Sequence, residues 1–135
     1  MPETKSFFDT NIILYLLSSD NEKANRAETI MRKGGLISVQ VLNEFTNVAR
    51  RKLVLTWQEI DEILEVIKSI CQINSLTVET YDKGRYLAER YKLSVYDAMI
   101  VSSALLSNCE ILYSEDMQHN QVMEQKLRVC NPFEI

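Results

Sequence analysis

Apolar residues along this chain fall into two alternating patterns. Short runs read as strands at Ser6–Phe8, Leu36–Ser38, Leu76–Val78 and Ile111–Tyr113, and a fifth at Leu127–Cys130 ends against Asn131-Pro132. Between them lie stretches with helical spacing. Asn21 to Lys33 is one, stopped by Gly34-Gly35. A second runs from about Val39 to Lys52, with Val41, Leu42, Phe45, Val48 and Ala49 along one face. A third opens near Thr56 and turns Ile60, Ile63, Leu64, Ile67 and Ile70 inward, leaving Glu59, Asp61, Glu62 and Glu65 as a solvated face. Tyr81–Tyr91 and Val95–Ser107 complete the set. Short strands alternating with helices predict an α/β fold whose parallel sheet is covered on both faces. No low-complexity stretch or linker interrupts the chain, so residues 1–135 read as a single domain.

Composition narrows the chemistry. Three glycines, at 34, 35 and 84, allow neither a Walker loop nor a GxGxxG turn. A single His, His119, excludes a His-rich zinc site and leaves little room for a Ser-His-Asp hydrolase; it reads as a surface residue rather than a general base. Cys71, Cys109 and Cys130 are widely spaced, form no CxxC pair and read as buried thiols. The opening Met-Pro-Glu-Thr-Lys shows no cleavable signal pattern, and the apolar run Ile12–Leu17 is far short of the ~20 residues a membrane span needs, so a cytoplasmic protein is expected. Fifteen basic against nineteen acidic residues leave a net charge of −4, which argues against a strong overall grip on nucleic acid. Arg50-Arg51-Lys52 is a local exception, read either as a complement to a helix C-terminus or as a set of phosphate contacts. Arg26, Arg32 and Lys33 form a weaker basic group.

Four acids stand where a purely solvating carboxylate would not. Asp9 follows the first strand at its carboxyl end, where ligands collect in open α/β sheets. It can also cap a helix, although Thr10 or Asn11 would serve equally well. Glu44 borders the apolar stripe of its helix, three residues after Val41 and four before Val48. There it either meets a cation or donor, or reaches out to water. Asp97, in Ser94-Val-Tyr-Asp97, fits a capping box and at the same time sits at a helix mouth. Asp116 follows Ile111–Tyr113 directly and reads as a turn residue or as a second acid at a strand end. In a parallel sheet these four can share one edge. Without cations they would repel and raise one another's pKa values. One or two hard cations, Mg²⁺ or Mn²⁺, resolve the conflict with oxygen ligands alone. One such ion takes the net charge from −4 to −2, and two take it to 0. The pattern therefore predicts metal-dependent phosphoryl transfer.

Phe8-Asp9-Thr10-Asn11, Val41-Leu42-Asn43-Glu44-Phe45, Ser94-Val-Tyr-Asp97-Ala98 and Leu112-Tyr-Ser114-Glu-Asp116, in this order, resemble the PIN-domain ribonucleases, and more narrowly the VapC-type toxins of prokaryotic toxin–antitoxin pairs. The likeness runs from residue 6 to Asn131-Pro132-Phe133. It implies an α/β/α sandwich around a twisted parallel sheet of about five strands. It also implies Asp9, Glu44, Asp97 and Asp116 as ligands of Mg²⁺ or Mn²⁺, directly or through water, with Thr10, Asn11 and Ser114 as supporting polar residues. Further implications are cleavage of single-stranded RNA, a cognate VapB-like antitoxin and, commonly, a homodimer. The chain departs from close relatives at His119-Asn120, where a Gly is frequent; this concerns the local turn and no metal ligand.

The chemistry this implies is hydrolysis by a metal-activated water, which spares the 2′-hydroxyl and leaves 5′-phosphate and 3′-hydroxyl ends. Other classes fit less well. A haloacid-type hydrolase needs Asp-x-Asp after the first strand, where this chain has Asp9-Thr10-Asn11. A receiver domain needs an acidic pair on its first loop and a Lys late in the sheet. The serious alternative is a PIN-like module that binds RNA or protein without catalysis. RNA target and antitoxin identity are set by loops and grooves that a single sequence does not resolve.

Overall fold

The computed structural model describes residues 4–134, so the reading of the first three residues as part of a leader-free start lies outside it. Twelve elements follow one another among these residues. They are β1 (Ser6–Phe8), α1 (Thr10–Tyr15), α2 (Asn21–Arg32), β2 (Gly35–Ser38), α3 (Val39–Arg51), α4 (Trp57–Ile70), β3 (Cys71–Asn74), α5 (Val78–Tyr91), α6 (Val95–Leu106), β4 (Ile111–Tyr113), β5 (Val122–Met123) and β6 (Leu127–Cys130). The sheet order is β3-β2-β1-β4-β6-β5. Five strands are parallel, as expected, and β5 adds a sixth, antiparallel edge strand. Two residues are too few to register as a strand in the sequence. The turn into β6 uses Glu124 (φ 52°) and Gln125 (φ 57°), the left-handed pair of a type I′ turn without its usual Asn-Gly signature.

Connections run outward from β1 to β2 to β3, then cross back through α5 and α6 to β4 on the other side of β1. That reversal makes the gap between the carboxyl ends of β1 and β4 the topological switch point. Phe8 pairs with Tyr113, so the residues that follow both strands enter the gap side by side. Phe7, Phe8, Ile37, Leu112 and Val129 bury the sheet's interior against Ile12, Phe45, Ile67, Ile100 and Leu105 of the helices. Helix α6 is buried along Ala98–Leu105, on every side rather than along one stripe. It is apolar all round, as a fully enclosed helix must be. Its two buried hydroxyls are both bonded: that of Ser102 donates to the carbonyl of Thr80 at 2.8 Å, and that of Ser103 accepts from Asn74 Nδ2 at 3.4 Å.

Three expectations change. The third strand is Cys71–Asn74, not Leu76–Val78. Leu76 and Val78 are exposed, and Thr77 caps α5 by accepting from the backbone N–H of Thr80. No Gly or Pro separates α4 from β3, so Ile70, expected inward, is instead the last exposed residue of the helix before the strand begins. Helix α1 was hidden in the apolar run after Asn11, which lacks a polar face. Cys71, Cys109 and Cys130 are free and buried, and burial pushes the thiols of Cys71 and Cys109 up to about 11. Among the described residues no helix is long and apolar enough to cross a membrane.

Gly35 begins β2 where two neighbours leave no room. A Cβ there would lie 2.5 Å from the Phe8 ring and 2.9 Å from the Ser6 carbonyl oxygen. Neither the buried ring nor the strand backbone can give way cheaply. Gly35→Ala is expected to cost about 1–3 kcal/mol, read as a lower urea midpoint at unchanged slope.

Candidate active site

Asp9 leaves β1 and caps α1. Its Oδ1 accepts the Thr10 N–H at 2.7 Å, and its Oδ2 accepts the Ser114 hydroxyl at 2.7 Å. The cap expected as an alternative to function is therefore real, and it leaves the carboxylate only 4% exposed. The backbone N–H of Asp9 donates to the Tyr113 carbonyl, which extends the β1–β4 ladder into the site. Thr10 turns its hydroxyl toward α3 and donates to Glu44 Oε2 at 2.5 Å, while Gln40, one helical turn earlier, donates to Oε1 at 3.1 Å. Glu44 is thus half-buried with both oxygens engaged.

Asn11 joins the site from the opposite side. Its Nδ2 donates to Asp116 Oδ2 at 3.0 Å, and its Oδ1 accepts the Glu115 N–H at 3.3 Å. Asp97 stands in the first turn of α6, where its backbone N–H donates to Ser94 Oγ at 3.1 Å. This is half of the capping box, and the Asp97 carboxylate is left available. Asp116 is exposed and Asp97 half-buried. The structure thus brings Asp9, Glu44, Asp97 and Asp116, carried by four separate segments, to the switch point together with Thr10, Asn11 and Ser114.

The electrostatics show that the acids sense one another. Burial pushes Asp9 up to about 7. The Ser114 and Thr10 bonds pull it down, and the Asp97 and Glu44 charges add to the rise. Asp97 is also raised, first by burial, against the pull of Ser94, and then by the charges of Asp116 and Glu44. Among the described residues, however, no three Asp, Glu, His or Cys side chains close into a direct metal cage. Uncompensated carboxylates repel, and the oxygens of Asp9, Glu44 and Asp116 are held by neighbouring donors, so the acids ring the site rather than collapse onto its centre.

Other residues here carried no signal in the sequence. Glu115, next to Asp116, accepts from Tyr15 Oη at 2.6 Å and from Lys23 Nζ at 3.2 Å. Lys23 also lies over the rings of Tyr15 and Phe133. This cluster ties the loop after β4 to α1 and α2. Only Gln40 was legible in retrospect, from its i,i+4 spacing to Glu44. The hydroxyl of Ser38, buried at the end of β2, has no hydrogen-bond partner among the described residues. His119 is half-buried, and its Nδ1 accepts the Asn131 N–H at 2.9 Å, a structural bond that occupies the nitrogen a base would use. Asn120 adopts φ 69°, so an Asn fills the left-handed position that suits a Gly.

The basic residues separate. Arg50 donates to the Leu55 carbonyl at 2.8 Å, in the loop that follows α3. Arg51 and Lys52 are exposed, with no ion pair among the described residues. Arg32 pairs with Glu28 along α2.

Asp9 has a consequence for stability. Its carboxyl titrates near 7 when folded and near 3.8 when free, so between these values the native protein holds a proton that the unfolded chain has lost. Metal-free stability therefore falls as pH rises from about 4 to about 7, by up to roughly 4 kcal/mol at 1.36 kcal/mol per unit. Asp9→Asn keeps an acceptor for Thr10 and removes the charge. It is expected to stabilise the metal-free protein at pH 8 and to lose that gain toward pH 4, as urea unfolding across pH would show.

A model of the PIN domain matches residues 6–124. Comparison with curated proteins gives no match. Among solved structures, the chain is similar to a toxin–antitoxin complex from Klebsiella pneumoniae at 22% identity and a TM-score of 0.73, covering 97% of this chain and 100% of that one. It is similar to VapBC2 from Rickettsia felis, bound to a DNA fragment from its promoter, at 20% identity and a TM-score of 0.66, covering 95% of this chain and 100% of that one. VapC20 of Mycobacterium tuberculosis, described as a Sarcin-Ricin loop cleaving toxin, is 15% identical with a TM-score of 0.66, over 83% of this chain and 90% of that one. These similarities show the same fold, and with the family match over most of its length the chain belongs to the PIN domain family.

Proposed function

We propose that this chain is a metal-dependent endoribonuclease, the VapC-type toxin of a type II toxin–antitoxin pair. The observation that carries the reading is the gathering of Asp9, Glu44, Asp97 and Asp116 at the switch point. The site fits a hard divalent cation because its donors are carboxylate oxygens and because burial, with the Asp97 and Glu44 charges adding to it, pushes Asp9 up to about 7, a cost that a bound cation would offset. Asp9, Glu44, Asp97 and Asp116 would hold Mg²⁺ or Mn²⁺, in part through water, since no three of them form a direct cage. When bound, the ion supplies an acidified water and positive charge opposite the developing phosphorane charge.

The chain's own residues prepare the site. Ser114 and Thr10 orient the Asp9 carboxylate, so its two oxygens do not rotate freely. Thr10 and Gln40 hold Glu44, and Asn11 holds Asp116. Burial of Asp9 keeps competing water away from one wall. Hydrolysis by water leaves 5′-phosphate and 3′-hydroxyl products, which distinguishes it from transfer to the 2′-hydroxyl.

The similar structure from Klebsiella pneumoniae is a toxin–antitoxin complex, and by analogy we assign this chain a VapB-like antitoxin; the homodimeric state we propose rests only on the resemblance to VapC-type toxins. A groove of about 310 Å³ leads away from Asn11 past Leu14, Leu17, Val48 and Leu53, and it suits the apolar face of an antitoxin helix. The lack of a direct three-ligand cage favours one other reading, a catalytically inactive binding module.

Two measurements decide between them. Asp9→Asn is expected to remain folded while Mg²⁺-dependent cleavage of mixed RNA falls by about a thousandfold or more, the scale of several kcal/mol of lost metal assistance. EDTA should abolish wild-type cleavage; full activity in either case refutes a metal nuclease. Replacing Arg51 and Lys52 by Gln is expected to weaken RNA binding across sequences and to flatten its log–log salt slope by about 0.7 per lost phosphate contact. An unchanged slope returns both residues to a helix-end role.

A further inference from the structure

The chain's single Trp, Trp57, is the first residue of α4, just past the loop that follows α3, and nothing in the site described above uses it. Trp57 is 59% exposed although it opens a helix. Arg50 lies over its ring with the guanidinium carbon 4.6 Å from the centroid, and the Leu55 carbonyl holds that guanidinium in place. No acid pairs with Arg50 among the described residues. The other Arg stacked on an aromatic, Arg90 on Tyr91, lies 3.7 Å from Glu124 and is thereby accounted for. Arg51 ends α3 and Lys52 caps it, both exposed, so the indole follows a run of three cations by five residues in a chain of net charge −4.

We propose that Trp57, backed by Arg50, is a stacking platform for an unpaired base of single-stranded RNA, a binding subsite beyond the acidic centre. The inference rests on the ribonuclease reading above. A nucleotide is the occupant that matches both halves of the surface, because its base presents a π-face to the indole and its phosphate presents charge to Arg51 and Lys52. A protein helix would satisfy the apolar part alone. The groove from Asn11 to Leu53 joins the acidic centre to this loop. From Glu44 to Arg50 helix α3 advances about 9 Å at 1.5 Å per residue, comparable to about three stacked nucleotides. Stacking of this kind is indifferent to base identity, so the platform anchors the strand and leaves the choice of cleavage sequence to the centre.

The only Trp is also the reporter. In the full chain carrying Asp9→Asn, a short oligouridylate in Mg²⁺ is expected to quench Trp57 fluorescence saturably, in step with anisotropy of the labelled RNA. Trp57→Ala should weaken that affinity about ten- to a hundredfold, and Trp57→Phe should restore most of it. Saturable RNA binding without quenching, at an affinity unchanged by Trp57→Ala, overturns the platform and leaves the ribonuclease reading standing. Loss of self-association on Trp57→Ala, by sedimentation at unchanged RNA affinity, also overturns it and makes this face a protein interface. If wild-type protein neither binds RNA nor cleaves it with Mg²⁺, the ribonuclease reading fails and the platform fails with it.

Discussion

The buried carboxylate of Asp9 is the constraint on which the rest of the structure turns. A charge almost wholly removed from water at the end of the central strand is costly unless donors meet it. Two do, the Thr10 N–H and the Ser114 hydroxyl, and each bond requires a feature of the whole fold. The first exists because the chain turns into α1 immediately after β1. The second exists because β4, more than a hundred residues later, lies beside β1 with Tyr113 opposite Phe8. The two bonds offset only part of the burial cost, and the remainder appears as a carboxyl that titrates near neutrality. The fold thus maintains a local instability at the point where a cation would relieve it.

The acidic excess and the local basic run have separate places. Glu59, Asp61, Glu62 and Glu65 are exposed on α4, with Glu59 also closing the capping box of Thr56. Of the four acids at the switch point, Asp9, Glu44 and Asp116 are held by neutral donors, and among the described residues none of the four forms an ion pair. The nearest ion pair, Lys23 with Glu115, does not neutralise them. It fastens the loop that carries Asp116 to α1 and α2, and Phe133 packs edge-on against Tyr15 in the same cluster. Positive charge gathers instead at the end of α3, away from the acids, as expected if a strand is held at one place and cut at another.

Legibility followed local physics. β1, β4 and β6 could be read to the residue because each apolar run is bounded by polar or turn residues. α2 and α3 could be read because their apolar stripes repeat at helical spacing. The third strand was misplaced because α4 passes into β3 through Ile70-Cys71 with no breaker between them. There the apolar pattern alone does not say where one period ends and the other begins. α1 and β5 were too short, or too uniformly apolar, to declare themselves.

The positions of Asp9, Glu44, Asp97 and Asp116 relative to strand ends and apolar stripes were evident from the sequence alone. Strand, helix and cap preferences act over a few residues, and those placements need nothing longer. The sequence also determined the parallel α/β class, through alternation, and the family resemblance, through the order of the acids. Only the tertiary structure decided which oxygens are held and by what. The bonds from Thr10 to Glu44, Asn11 to Asp116 and Ser114 to Asp9 each join separate segments of chain. So does the cluster of Tyr15, Lys23 and Glu115. These depend on strand order and register, which local periodicity does not encode, and the burial that moves the pKa of Asp9 exists only once the sheet has closed around it.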